Sequence, residues 1–193
     1  PPARPRLRSD VRLGARSSEP SGLGDGGSAS VVFGSANLAG TLSRSSLNGS
    51  NGFRLDGAAA GDGAGTSVAS AGDVNNDGLD DVMIGAMGAD PSWRADAGSA
   101  YVVLGAASFS ATEELSSLNG ANGFRLDGAA AGAAFGVSVS SAGTVNNYTL
   151  HEHLICAPRA HPRPQCAPRS PHLLLGAATF SGAPHRSPLD GST

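Results

Sequence analysis

The residues best suited to chemistry lie in one run, Asp73-Val74-Asn75-Asn76-Asp77-Gly78-Leu79-Asp80-Asp81. Side-chain oxygens stand at its first, third, fifth and ninth positions, in the pattern D-x-N-x-D-G-x-x-D. A loop that curls around a centre turns alternate positions inward, and Gly78 permits the sharp bend this needs. Calcium is a hard cation that takes about six to eight oxygen ligands. Asp73, Asn75, Asp77 and Asp81 offer side-chain oxygens to such an ion, and Leu79 offers its backbone carbonyl. The carboxylates repel one another when no cation is present, so a structural Ca2+ would stabilise the bend. Magnesium suits the loop less, because it prefers to keep several waters. An EF-hand is excluded: Ile84 stands at the twelfth position, where that loop needs a bidentate glutamate. The plainer alternative is a metal-free Asn-Asp-Gly hairpin turn, which does not by itself require four spaced oxygens. Asp80 is expected to be a solvated charge pointing away from the centre.

No other cluster points to a reaction. Serines are numerous, but no nucleophile, base and orienting group stand out together, and the chain is expected not to be an enzyme. Residues 144–175 contain no glycine, four of the five histidines (His151, His153, His161, His172) and both cysteines. The spacing of Cys156 and Cys166 fits no standard zinc site, and Pro158, Pro162 and Pro164 stiffen the link between them. A Cys156–Cys166 disulfide is sterically allowed and is left open. Trp93 is expected to pack on a sheet edge or loop, the alternative being an exposed anchor for a partner. Arg54-Leu55-Asp56 and Arg125-Leu126-Asp127 recur in equivalent places and read as strand-ending structure.

The loop sits inside a repeat. Gly27-Ser-Ala-Ser-Val-Val-Phe-Gly34 matches Gly98-Ser-Ala-Tyr-Val-Val-Leu-Gly105 at an offset of 71 residues. The same offset aligns Leu47–Gly61 with Leu118–Gly132, where only Ser50 and Ala121 differ, and Val102–Ala106 with Leu173–Ala177. Apolar runs bounded by Gly, Asn and Asp predict strands near Thr66–Ser70, Asp81–Gly85, Ser99–Leu104 and Gly123–Leu126. Helical periodicity is absent, apart from at most a turn or two over Ala111–Leu118. Four antiparallel strands per unit match a propeller blade, and a blade buried on both faces explains Val82-Met83-Ile84, which is apolar without alternation. The fold class is therefore all-β, a partial β-propeller of about two to three four-stranded blades with disordered termini.

Composition narrows the partners. The formal net charge is −3, which gives no basic field for nucleic acid. No apolar run is long enough to span a bilayer, so this segment is not expected to insert into a membrane. The Arg-rich, Pro-rich beginning reads as a disordered leader. Sequons at Asn48-Gly49-Ser50 and Asn147-Tyr148-Thr149 support a glycoprotein weakly.

The full unit resembles the FG-GAP repeat of integrin α chains and large surface proteins. The resemblance rests on Ser67-Val68 through Asn75, the calcium loop, Val82-Met-Ile-Gly-Ala86 at the GAP position and Gly98–Gly105. It implies calcium at blade hairpins, further propeller blades outside this chain, and adhesion or recognition of an extracellular protein or glycan. Departures are Ala64-Gly65 in place of the FG pair, which the third unit keeps as Phe135-Gly136, and Cys156-Ala157-Pro158 at the third unit's GAP position. Thr144, Tyr148 and Glu152 replace Asp73, Asp77 and Asp81 there, so no calcium is expected beside Asn146. The expected organisation is a disordered leader over 1–26, the end of a first blade over 27–62, a complete blade over 63–127, a degenerate blade over 128–182 and a disordered tail over 183–193. The expected role is a non-catalytic, calcium-stabilised binding or adhesion module, extracellular or at the cell surface. The alternatives are an accessory propeller of a secreted hydrolase and a decayed fragment without function.

Overall fold

A computed structural model describes residues 10–35, 40–143, 152–159 and 170–174, with Glu152 and residues 170–174 described by backbone alone. The three Thr144, Asn146 and Tyr148 positions, Cys166, and most of the His-rich stretch lie outside the described residues. The fold is all-β: three successive sheets and only short 3-10 turns between strands.

The second sheet is the complete unit, with strands β4 (Ala64–Gly72), β5 (Asp81–Ala86), β6 (Ser99–Val103) and β8 (Gly123–Asp127) in antiparallel order. Each strand falls where the sequence places it, within a few residues. The first sheet has β1 (Val11–Ala15), β2 (Ser28–Val32) and β3 (Gly52–Asp56), and its outer edge is completed by β7 (Thr112–Glu114), which pairs in parallel with β3. β7 belongs to the connection between β6 and β8, so the second unit lends a strand to the first. The third sheet pairs β9 (Ser138–Gly143), β10 (Glu152–Ala157) and β11 (Ser170–Leu174).

The leader expected to be disordered over 1–26 is a correction. From residue 10 onward it is ordered, and β1 pairs along its whole length with β2. The reason lies in the repeat: Val11-Arg12-Leu13-Gly14-Ala15 is the counterpart of Val82-Met83-Ile84-Gly85-Ala86. Val11 pairs with Val32 as Val82 pairs with Val103, so the two sheets share one register.

Apolar side chains fill the two gaps between sheets. Ala29, Val31, Phe53 and Leu55 of the first sheet meet Val82, Ile84, Ala86 and Tyr101 of the second. Met83, Ala100, Val102 and Leu126 on its other face meet Phe135, Val139 and Ile155 of the third. Neighbouring units touch backbone to backbone near one point. A Cβ at Gly14 would overlap the Gly65 carbonyl, and a Cβ at Gly85 would overlap the Gly136 carbonyl. The Ala64-Gly65 and Phe135-Gly136 pairs thus bring a chain segment against the preceding sheet, where Ala64 and Phe135 bridge Gly27 and Gly98. Gly65 and Gly136 themselves hold φ of 81° and 84°, and a Cβ on either would overlap the Ser28 or Ser99 carbonyl oxygen, so the glycine of the pair is fixed.

The Arg-Leu-Asp segments are structural. Arg54 grips the buried Asp56 two residues along β3 through Nε–Oδ1 and Nη2–Oδ2 contacts of 2.6 and 2.7 Å. Arg125 does the same to Asp127, with Nε–Oδ1 at 2.7 Å. Trp93 departs from expectation: it is 99% exposed, with its side chain clear of the described residues. Cys156 lies half-buried in β10 and is bonded to no cysteine among the described residues.

Candidate metal centre

Residues 73–80 connect β4 to β5. A register shift between Ser70 and Gly72 bends the chain out of the ladder as it enters this loop. Two residues then take the left-handed conformation that closes it, Asn76 at φ 59° and Gly78 at φ 87°. Glycine adopts this region freely, and asparagine is among the side chains that tolerate it best.

The loop's polar side chains fold over its own backbone. The Asp77 N–H donates to both Asp73 Oδ1 (3.0 Å) and Asn75 Oδ1 (3.2 Å). Two acceptors sharing one donor must lie close together, so Asp73 and Asn75 face the same side. Gly78 N–H donates to Asp73 Oδ2 (2.8 Å), and Leu79 N–H donates to Asp77 Oδ1 (2.8 Å). Asn75 Nδ2 donates to Asp77 Oδ2 (2.9 Å). Asp73, Asn75 and Asp77 are therefore brought together on the rim of the loop, with Asn75 and Asp77 exposed and Asp73 half-buried.

Asp81 plays a different part. It is fully buried at the start of β5, where its carboxylate takes Val74 N–H on Oδ2 (2.7 Å) and Gly105 N–H on Oδ1 (2.6 Å). It thus ties the loop entrance to the end of β6. Burial pushes its carboxyl up to about 7; the two N–H donors oppose this, and the charges of Asp77 and Asp73 add to it. Burial and the two neighbouring carboxylates favour its protonated form, and a cation placed close by would favour the charged one. Among the described residues no three Asp, Glu, His or Cys side chains stand together as a ready-made metal cluster. The donor set nonetheless fits a hard cation in kind, since it is all oxygen, and in arrangement for Asp73, Asn75 and Asp77. Leu79 is half-buried beside them, in the wall between loop and sheet.

Two features went unread in the sequence. Asp80 is not a solvated charge: it is half-buried, its Oδ2 is shielded from water, and its charge reaches Asp10. Asp10 itself is the first unit's counterpart of Asp81, and its Oδ1 takes Gly34 N–H at 2.7 Å just as Asp81 takes Gly105 N–H. Burial raises the Asp10 carboxyl, the Gly34 N–H and Arg12 lower it, and Asp80 raises it. The 71-residue offset between these aspartates and their glycine partners was the available sign. The rest of the motif is missing in the first unit, where Pro2, Arg4 and Arg6 take the places of Asp73, Asn75 and Asp77.

Comparison with known proteins agrees with the sheet that carries the loop. Residues 64–103, which run from β4 through the loop and β5 to the end of β6, match the family model of the FG-GAP repeat. No curated protein matches the chain.

Proposed function

We propose, from a chain whose second unit is an FG-GAP repeat, that it serves as a calcium-stabilised, non-catalytic binding module of propeller type, working outside the cell or at its surface. The observation that carries this reading is the convergence of Asp73 and Asn75 on the Asp77 N–H, with the Asp77 carboxylate beside them. The residues that would hold the ion are the Asp73, Asn75, Asp77 and Asp81 side chains and the Leu79 carbonyl. Bound calcium supplies positive charge to a loop with three carboxylates, and its role is structural. The chain's own residues do the rest: Asp81 anchors the loop to Val74 and Gly105, and Gly78 sets the bend. An extracellular setting is supported by the kind of repeat, and millimolar calcium there would occupy a site of about 10⁻⁴–10⁻³ M affinity. The recognised partner, protein or glycan, belongs to the same proposal.

Thermal unfolding with calcium and with chelator tests it. Millimolar calcium is expected to add on the order of 1 kcal/mol to the folded state. Asp77→Ala should remove that increment, and in chelator should cost only the Leu79 N–H and Asn75 Nδ2 bonds, about 1 kcal/mol. Equal shifts of the variant in both conditions would refute the loop as the calcium site.

A further inference from the structure

The β5–β6 connection carries the chain's single tryptophan at its tip. Trp93 is 99% exposed and holds φ at 62°. The β1–β2 connection has the same shape: Ser21 and Ser92 have φ of 51° and 54°, and Asp25 and Asp96 have 49° and 50°. At the place of Trp93 that loop has Gly22, with φ 79°. Glycine meets this conformation without strain, whereas a bulky side chain is a true outlier there. The turn is firmly built: Pro91 is buried, Trp93 N–H donates to the Asp90 carbonyl (3.2 Å), and Asp96 N–H donates to Asp90 Oδ1 (2.7 Å). A hydrogen-bonded turn therefore presents a large aromatic side chain that stands clear of the described residues and strains the backbone beneath it. Such an outlier points to a use outside the fold.

A matching hole lies on the same molecule. A cavity of about 280 Å³ opens between the first and second sheets, walled by Phe33, Phe109, Leu79, Asp80, Ala106 and Ala107. Phe33 and Phe109 stand 6.4 Å apart and tilted by 47°, and Phe109 stacks on Phe53 at 4.0 Å. An apolar cavity of about 150 Å³ already accepts a benzene ring, so this one has room for an indole. Leu79 and Asp80 adjoin the start of β5, and the Trp93 turn leaves from its end. Knob and hole thus sit at opposite ends of one strand and cannot meet within a chain.

We propose that Trp93 of one copy seats in the Phe33–Phe109 cavity of a second copy, joining chains head to tail. A contact between two different patches of identical chains is heterologous, and it leaves an unused knob at one end and an unused hole at the other. The occupant is a second copy because this chain carries both halves: the exposed ring and an aromatic-lined space large enough for it.

Because Trp93 is the sole tryptophan, its emission reports the event directly. As the full chain is concentrated from about 1 to about 500 µM, the range of weak, transient contacts, the emission should move to shorter wavelength while the sedimentation coefficient rises. Trp93→Gly, which copies Gly22 and relieves the turn, should fold with an unchanged circular dichroism spectrum and remain single. Ala107→Phe, at an exposed position on the cavity wall, should fold equally well, block the hole and also remain single. An equimolar mixture of the two variants should form pairs that grow no further, since one supplies the hole and the other the knob. A wild-type chain that stays single with unshifted emission would overturn the proposal, as would association that survives Trp93→Gly or variants that fail to pair when mixed.

Discussion

The contact between sheets can be tested at one atom. Gly85 lies on β5 where the third unit presses closest, and a Cβ there would overlap the Gly136 carbonyl oxygen and crowd Ser67 Oγ. Gly136 is backbone, so no side-chain rotation relieves the overlap, and the third sheet must move away from the second. Overpacking of this kind costs typically about 1–3 kcal/mol, and a rigid obstacle puts the value at the upper end. The Ser67 hydroxyl also donates to the Gly136 carbonyl at 2.9 Å, a bond contributing about 1 kcal/mol that the shift would break. Gly85→Ala should therefore destabilise the chain by about 3–4 kcal/mol. With a urea dependence of about 1–3 kcal/mol per molar, the unfolding midpoint should fall by about 1–4 M. Urea titration followed by circular dichroism reads this, with Gly24→Ala as the control, since a Cβ at Gly24 would meet nothing within 4 Å. A Gly85→Ala midpoint within about 0.3 M of the wild type, no larger than the usual effect of a surface substitution, would refute the close backbone approach.

Further outcomes follow from the same structure. Arg54→Ala leaves Asp56, whose side chain is 1% exposed, with its charge uncompensated, and should destabilise by about 2 kcal/mol, discounted because Arg54 itself is one-third exposed. Arg125→Ala, in the more exposed counterpart, should cost under about 1 kcal/mol, and chemical denaturation of both variants checks the contrast. Asp62 is buried, which raises its carboxyl; Asp90 raises it further, while the Ala59 N–H and Arg125 lower it. The folded state therefore holds this proton to higher pH than the unfolded state does, and its contribution to stability falls as pH rises from about 4 through the raised value. Asp62→Asn keeps an acceptor for the Ala59 N–H, so melting temperatures measured from acid to neutral pH should show a flatter decline and a more stable variant at neutral pH.

The second sheet was legible because its strands are bounded by turn residues and repeated at a fixed offset. β1 was not, although it obeys that offset, because Arg12 stands where β5 has Met83 and the surrounding arginines and prolines mimic an unstructured leader. β7 was illegible for another reason: Thr112-Glu113-Glu114 carries no apolar pattern, and its pairing with β3 arises only once two sheets are stacked. In the loop, spacing identified the oxygens and left their division of labour hidden. Burial decides it, placing Asp81 inside on two backbone N–H groups and Asp73, Asn75 and Asp77 at the rim. Trp93 was misread because aromatic side chains usually bury their area; nothing in its neighbours announces a turn that holds the ring in solvent.

Isothermal calorimetry of calcium binding to the purified chain bears most directly on the loop. One site per chain is expected, with an affinity of about 10⁻⁴–10⁻³ M, and with the heat abolished by Asp77→Ala. No heat from the wild type at millimolar calcium, or an unchanged isotherm in the variant, would contradict a cation site at Asp73–Asp81.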